Sequence, residues 1–131
     1  MKYLPDTNIF ILAIQNHPAE AKILKKFIEK KALIISAVVI AEFYGKGEIP
    51  REEEKAFSKL VSHFSTLPVD SEVAKMAGEY RSQFLRKTKR VFIMDCMLAA
   101  QAKVHNLTLV TNNTTDFPMK DIKVISPTRL T

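Results

Sequence analysis

Apolar positions follow two rhythms along the chain. Residues 18–31, PAEAKILKKFIEKK, place Ala21, Leu24, Phe27 and Ile28 three, six and seven positions along one stripe with lysines around it, the spacing of an amphipathic helix opening at Pro18. Short unbroken apolar runs alternate with segments of that kind. Residues 2–4, 33–35, 66–69, 107–110 and 122–125 read as strands. Between them the pattern predicts a short helix over 8–15 and another capped by Ser36, running through AVVIAEFY to a stop at Gly45. A third has Pro50 in its first turn and runs through REEEKAFSKLVSHF, a fourth is capped by Asp70 or Ser71 and reaches about residue 87, and a fifth begins at Asp95 and ends near Asn106. Strands separated by helices predict an α/β protein with a parallel sheet. In such sheets ligands bind beyond the carboxyl ends of the strands, where the strand order reverses.

Composition narrows the picture. A chain of 131 residues, 47% hydrophobic and 26% charged, is expected to fold as one globular domain spanning 1–131. Its three glycines exclude a glycine-rich phosphate loop. The formal charge of +6 favours anionic partners, nucleic acid first. A single cysteine, Cys96, cannot form an internal bridge, which suits a reducing cytosol. The longest apolar stretch, ALIISAVVIA, has ten residues, about half of a membrane span, and Asp6 interrupts the place where a signal peptide would be apolar. The expectation is a cytoplasmic protein with no membrane contact.

The chemistry sits in the acids. Asp6 interrupts the apolar segment YLPDTNIF; it suits the N-cap of the following helix, and it also suits a site at a strand end. Asp95 carries the same two readings. Glu42 has no capping role, because it lies about two turns after Ser36 among Val38, Val39, Ile40, Ala41 and Phe43. Asp116 falls in the loop TNNTTDF after the strand LTLV. The topology gathers these acids at one edge of the sheet, and four carboxylates in close quarters call for a cation. Oxygen ligands without a His or Cys cluster select Mg²⁺ or Mn²⁺. His17, His63 and His105 lack ligand spacing and read as structural or solvated.

Four segments in order, DTN at 6–8, SAVVIAEFYG, DCMLAAQA and LTLVTNNTTDF, resemble the motifs of PIN-domain proteins, and more narrowly of VapC-type toxin ribonucleases. The resemblance implies a three-layer α/β/α fold around a central parallel sheet, and an acidic pocket binding one or two Mg²⁺ or Mn²⁺ ions for hydrolysis of RNA phosphodiesters. Carried over by position, the family's acids are Asp6, Glu42, Asp95 and Asp116. Thr7 and Asn8 match the polar residues that order the first loop, and Thr111, Asn112 and Asn113 stand beside the last acid. Asn112 or Asn113 falls where many relatives carry a further acid, so the charge available to a second ion is lower. The resemblance also implies a homodimer and a small antitoxin partner.

The basic run RSQFLRKTKR, residues 81–90, leads toward Asp95. Arg86, Lys87, Lys89 and Arg90 are candidates to hold an RNA backbone beside the acids. Which RNA is cut stays open among tRNA, rRNA and mRNA. The alternative function is a catalytically silent PIN-like scaffold for RNA or protein.

Overall fold

The computed structural model describes residues 1–87 and 91–130. In chain order the elements are β1 (Tyr3–Pro5), α1 (Thr7–Ile14), α2 (Pro18–Glu29), β2 (Ile35–Ser36), α3 (Ala37–Tyr44), α4 (Arg51–His63), β3 (Thr66–Leu67), α5 (Ser71–Leu85), α6 (Ile93–Val104), β4 (Thr108–Val110), a 3₁₀ turn (Thr114–Asp116), β5 (Lys123–Ile125) and α7 (Pro127–Leu130).

All strand pairs are parallel. β1, β4 and β5 pair in that order, with Leu4 opposite Leu109 and Leu109 opposite Val124. β2 pairs with β3 separately. A parallel bridge between Tyr3 and Leu33 joins the two pieces, through Tyr3 N–H to Ala32 O and Ile34 N–H to Tyr3 O. The spatial order is therefore β3-β2-β1-β4-β5. The chain moves from β1 to one side through β2 and β3, then crosses to β4 on the other side, so the order reverses between β1 and β4. Right-handed crossovers put α1–α4 on one face and α5 and α6 on the other, giving an α/β/α sandwich of three layers.

Burial fixes these layers. Leu4, Ile35 and Leu109 are fully buried in the sheet. Phe43 of α3 stacks on Phe57 of α4 with ring centroids 3.9 Å apart, and Phe10 of α1 meets Phe57 edge-on at 6.0 Å. Aromatic pairs of this kind add to the apolar area they bury, and here they lock α1, α3 and α4 together. Tyr3 stacks on Phe27 of α2 at 4.2 Å.

Several element ends differ from the sequence pattern. Strand β2 begins at Ile35, because Leu33 contributes a single bridge, and β3 ends at Leu67. On α2 the buried positions are Ile23, Leu24 and Phe27, whereas Ile28 is 37% exposed. Pro50 stands at the N-cap of α4, ahead of its first turn. Asp70 caps α5, accepting Val73 N–H at 2.9 Å. Among the described residues no helix is long and apolar enough to cross a membrane.

Candidate active site

Asp6 follows β1 and Thr111 follows β4, the two strands that flank the reversal of strand order. The Asp6 backbone is extended, with φ −78° and ψ 175°, so its Oδ1 turns back to accept Ile9 N–H at 3.2 Å and caps α1. Its Oδ2 accepts the Thr111 hydroxyl at 2.5 Å. The same Thr111 oxygen accepts Asn113 N–H at 3.0 Å. Asp6 is only 8% exposed, yet each of its oxygens keeps a lone pair for a further ligand. Capping and a place in the cavity thus coexist in one side chain.

Glu42 stands on the last turn of α3, half-buried, and accepts the Thr7 hydroxyl at 2.7 Å on Oε1. The start of α3 is fixed by Ser36, whose oxygen accepts Val38 N–H at 3.0 Å and whose hydroxyl donates to Gln101 Oε1 at 2.6 Å. Gln101 in turn donates to Leu67 O and Pro68 O at 3.2 and 3.0 Å. Gln101 is fully buried on α6, so this network pins the start of α3 beside the end of α6. Glu42 lies six residues after Ser36 and Asp95 six residues before Gln101, and the two acids meet at the opposite ends of the same pair of helices. Gln101 is a site-building residue that the sequence pattern missed; an amide inside the apolar run LAAQA was its signal.

Asp95 is the third residue of α6, which starts at Ile93 with Phe92 at an N-cap that makes no side-chain bond. It therefore does not begin the helix, and the capping explanation for this acid falls away. Asp116 closes the 3₁₀ turn and is exposed. Asp6, Glu42, Asp95 and Asp116 line one cavity of about 220 Å³, with Thr7, Asn8 and Asn113 on its walls. Asn112 points elsewhere, donating to Glu20 Oε2 on α2 at 3.1 Å. Of the two asparagines, Asn113 is the one at the acids.

The PIN-domain sequence profile matches residues 3–123. The chain belongs to the PIN-domain family. It is 31% identical over 119 residues to the tRNA(fMet)-specific endonuclease VapC of Shigella flexneri, covering 89% of this chain and 90% of that one. To Ribonuclease VapC2 of Rickettsia felis it is 34% identical over 122 residues, with the same coverage. Among solved structures it is similar to VapBC2 from Rickettsia felis bound to a DNA fragment from its promoter, with a TM-score of 0.81 at 25% identity over 96% of this chain and 98% of that chain. DNA-bound VapBC from Salmonella typhimurium gives 0.81 at 28% identity over 97% and 98%.

The electrostatics of this PIN-domain cavity follow from crowding of like charge. Burial raises the Asp6 carboxyl above the usual range; the Thr111 hydroxyl and the Ile9 amide pull it back, and Glu42 adds to the rise. Asp95 is pushed up to about 6, first by burial and then by Glu42, Asp116 and Asp6. Such a cluster relieves its repulsion by taking up protons or a cation. The donor set fits a hard divalent cation: four carboxylates and the Asn113 amide, with no His or Cys on the walls. Among the described residues no three acids are drawn together as a finished cage. Thr111 and Thr7 hold Asp6 and Glu42 in place.

A larger recess, about 640 Å³, lies between α2 and α4 and is lined by Ile28, Leu60 and Phe64 among others, but it contains no acid. The three histidines are exposed and line no part of the acid cavity. Of the basic candidates, Arg86 and Lys87 follow the end of α5 and are exposed; neither lines the cavity. Lys89 and Arg90 lie outside the described residues. The basic side chain that does line the cavity is Lys46, which the sequence pattern passed over.

Proposed function

We propose that this chain is a Mg²⁺- or Mn²⁺-dependent endoribonuclease and the toxin of a toxin–antitoxin pair. The observation that carries the reading is that four carboxylates from four separate chain segments face one cavity at the switch point of a parallel sheet. Asp6, Glu42, Asp95 and Asp116 would hold one or two ions. When bound, such an ion supplies Lewis acidity toward the phosphodiester and the attacking water. The chain's own residues set the geometry. Thr111 and the Ile9 amide aim Asp6, Thr7 aims Glu42, and the Ser36–Gln101 pin fixes the helix ends that carry Glu42 and Asp95. Asn113 offers a neutral oxygen where an acid would bind an ion more tightly. The basic run 81–90, with Arg86, Lys87, Lys89 and Arg90, supplies positive charge for an RNA backbone.

The relative from Shigella flexneri is named as a tRNA(fMet)-specific endonuclease, so tRNA is the first substrate to try. The solved VapBC structures support an antitoxin as the protein partner. A homodimer and a cytoplasmic location complete the proposal, the former read by light scattering.

The deciding experiment incubates the protein with tRNA and Mg²⁺ or Mn²⁺ beside Asp6→Asn and Glu42→Gln. Cleavage by the wild type and none by either variant is expected. Cleavage that persists in both variants removes the site assignment, and an inert wild type favours an RNA- or protein-binding scaffold.

A further inference from the structure

Lys46 is the single basic side chain, among the described residues, that lines the acid cavity. Its ammonium lies 3.7 Å from Glu53 Oε1 on α4 and 4.9 Å from the centre of the Phe43 ring. Glu53 is itself fixed by Gln15, whose Nε2 donates to the same Oε1 at 3.1 Å. The two side chains of the ion pair are 24% and 17% exposed, so this is not a solvated surface pair.

The backbone is shaped around this one residue. Gly45 ends α3, and a Cβ there would sit 3.0 Å from Ala41 O. Gly47 has φ +98°, in the region that disfavours side chains. Two of the three glycines in the chain thus flank Lys46. The positive φ of Gly47 turns the chain directly after Lys46, and the lysine lies over Phe43 and along the cavity.

A lysine serving only to neutralise the acids would pair with one of them. Among the described residues Lys46 pairs with Glu53 instead, leaving the four acids of the cavity to other ligands. An RNA strand entering that cavity brings a phosphate at every nucleotide, and those beside the cleaved one need a cation at the rim. A lysine suits that task as a compact point charge on a flexible stem.

We infer that Lys46 binds a backbone phosphate of the substrate next to the one cleaved, with Glu53 and Phe43 holding its ammonium at the cavity rim. Lys46 is then a substrate-binding residue, and Glu53 a positioning residue that acts through it. The inference rests on the ribonuclease reading.

The test is steady-state cleavage of tRNA with Mn²⁺ across a KCl series, for wild type, Lys46→Ala, Lys46→Arg and Glu53→Gln, with a melting temperature for each. Lys46→Ala should raise KM about tenfold, as expected for one charge-assisted contact, with kcat little changed. The slope of log kcat/KM against log salt should become shallower by about 0.7, the loss of one phosphate contact to a single strand. Lys46→Arg should restore the slope. Glu53→Gln should keep the slope while raising KM less, because the charge remains and only its placement is lost. A Lys46→Ala enzyme with wild-type KM and slope overturns the inference while leaving the ribonuclease reading intact. So does a higher KM with an unchanged slope, or a loss confined to kcat, since either would make the lysine a structural part of the cavity. A wild type that leaves every RNA intact overturns both.

Discussion

Asp6 and Asp116 reach the same cavity under opposite constraints. Asp6 is buried, capped onto α1 and tied across the sheet to Thr111. Asp116 is exposed at the end of a three-residue 3₁₀ turn, held by the local bond from its own N–H to Asn113 O at 3.0 Å. One wall of the cavity is therefore set by the sheet and the helices, and the other by a short loop. A site built this way has one half fixed by buried packing and long-range bonds and one half carried on an exposed turn.

The largest break in that comparison is expected from the rigid wall. Asp6→Asn should lower the cleavage rate by about 10²–10³-fold or more, the range for removing one preorganised electrostatic group from an active site, whereas Asp116→Asn should lose clearly less. Parallel single-turnover rates would check this, and equal losses would mean that the loop is as fixed as the sheet. Next comes Thr111→Val, which keeps the carboxylate but removes its support. Its Mn²⁺ affinity, by calorimetry, should fall roughly 10–100-fold.

The pH dependence sharpens the same contrast through Asp95. Its folded value of about 6 lies above the ordinary 3.8 of a free carboxyl, so the ion-free folded chain holds an extra proton between the two. Stability of the ion-free chain should therefore fall as pH rises through about 4 to 6, and Asp95→Asn should make that slope shallower in pH-resolved melting curves, Asp6 supplying part of what remains. Mn²⁺ affinity should run the other way, falling up to tenfold per unit of pH below about 6 as the proton competes with the ion.

The smallest effect expected is on the fold. Ser36→Ala removes the α3 cap and leaves Gln101 Oε1 without its donor, a loss of about 1–3 kcal/mol readable by urea denaturation. Wild-type stability in that variant would mean that the pin between α3 and α6 is idle.

Much of this site was legible in the sequence because its logic is local. Glu42 stood out as an acid that no helix cap explains, and strand-then-acid spacing placed Asp6 and Asp116 at one sheet edge. What escaped depends on contacts distant in the chain. Asp95 looked like a helix start because an Asp ahead of an apolar helix usually is one, and only the fold shows α6 starting at Ile93. Lys46 was hidden because its meaning comes from Glu53 on α4 and from the turn that Gly47 makes after α3. The strands β2 and β3 were legible in position but not in extent, because the two-residue length of each is set by its pairing with the other.

The hydrogen bond between Thr111 and Asp6 spans 105 residues. A ribosome adding about 5–20 residues per second makes Asp6 roughly 5–20 seconds before it makes Thr111. During that interval the first acid has left the exit tunnel or waits within it, while β4, the strand it must pair beside, does not yet exist. A chain cut off before β4 therefore carries the first acid without the hydroxyl that positions it.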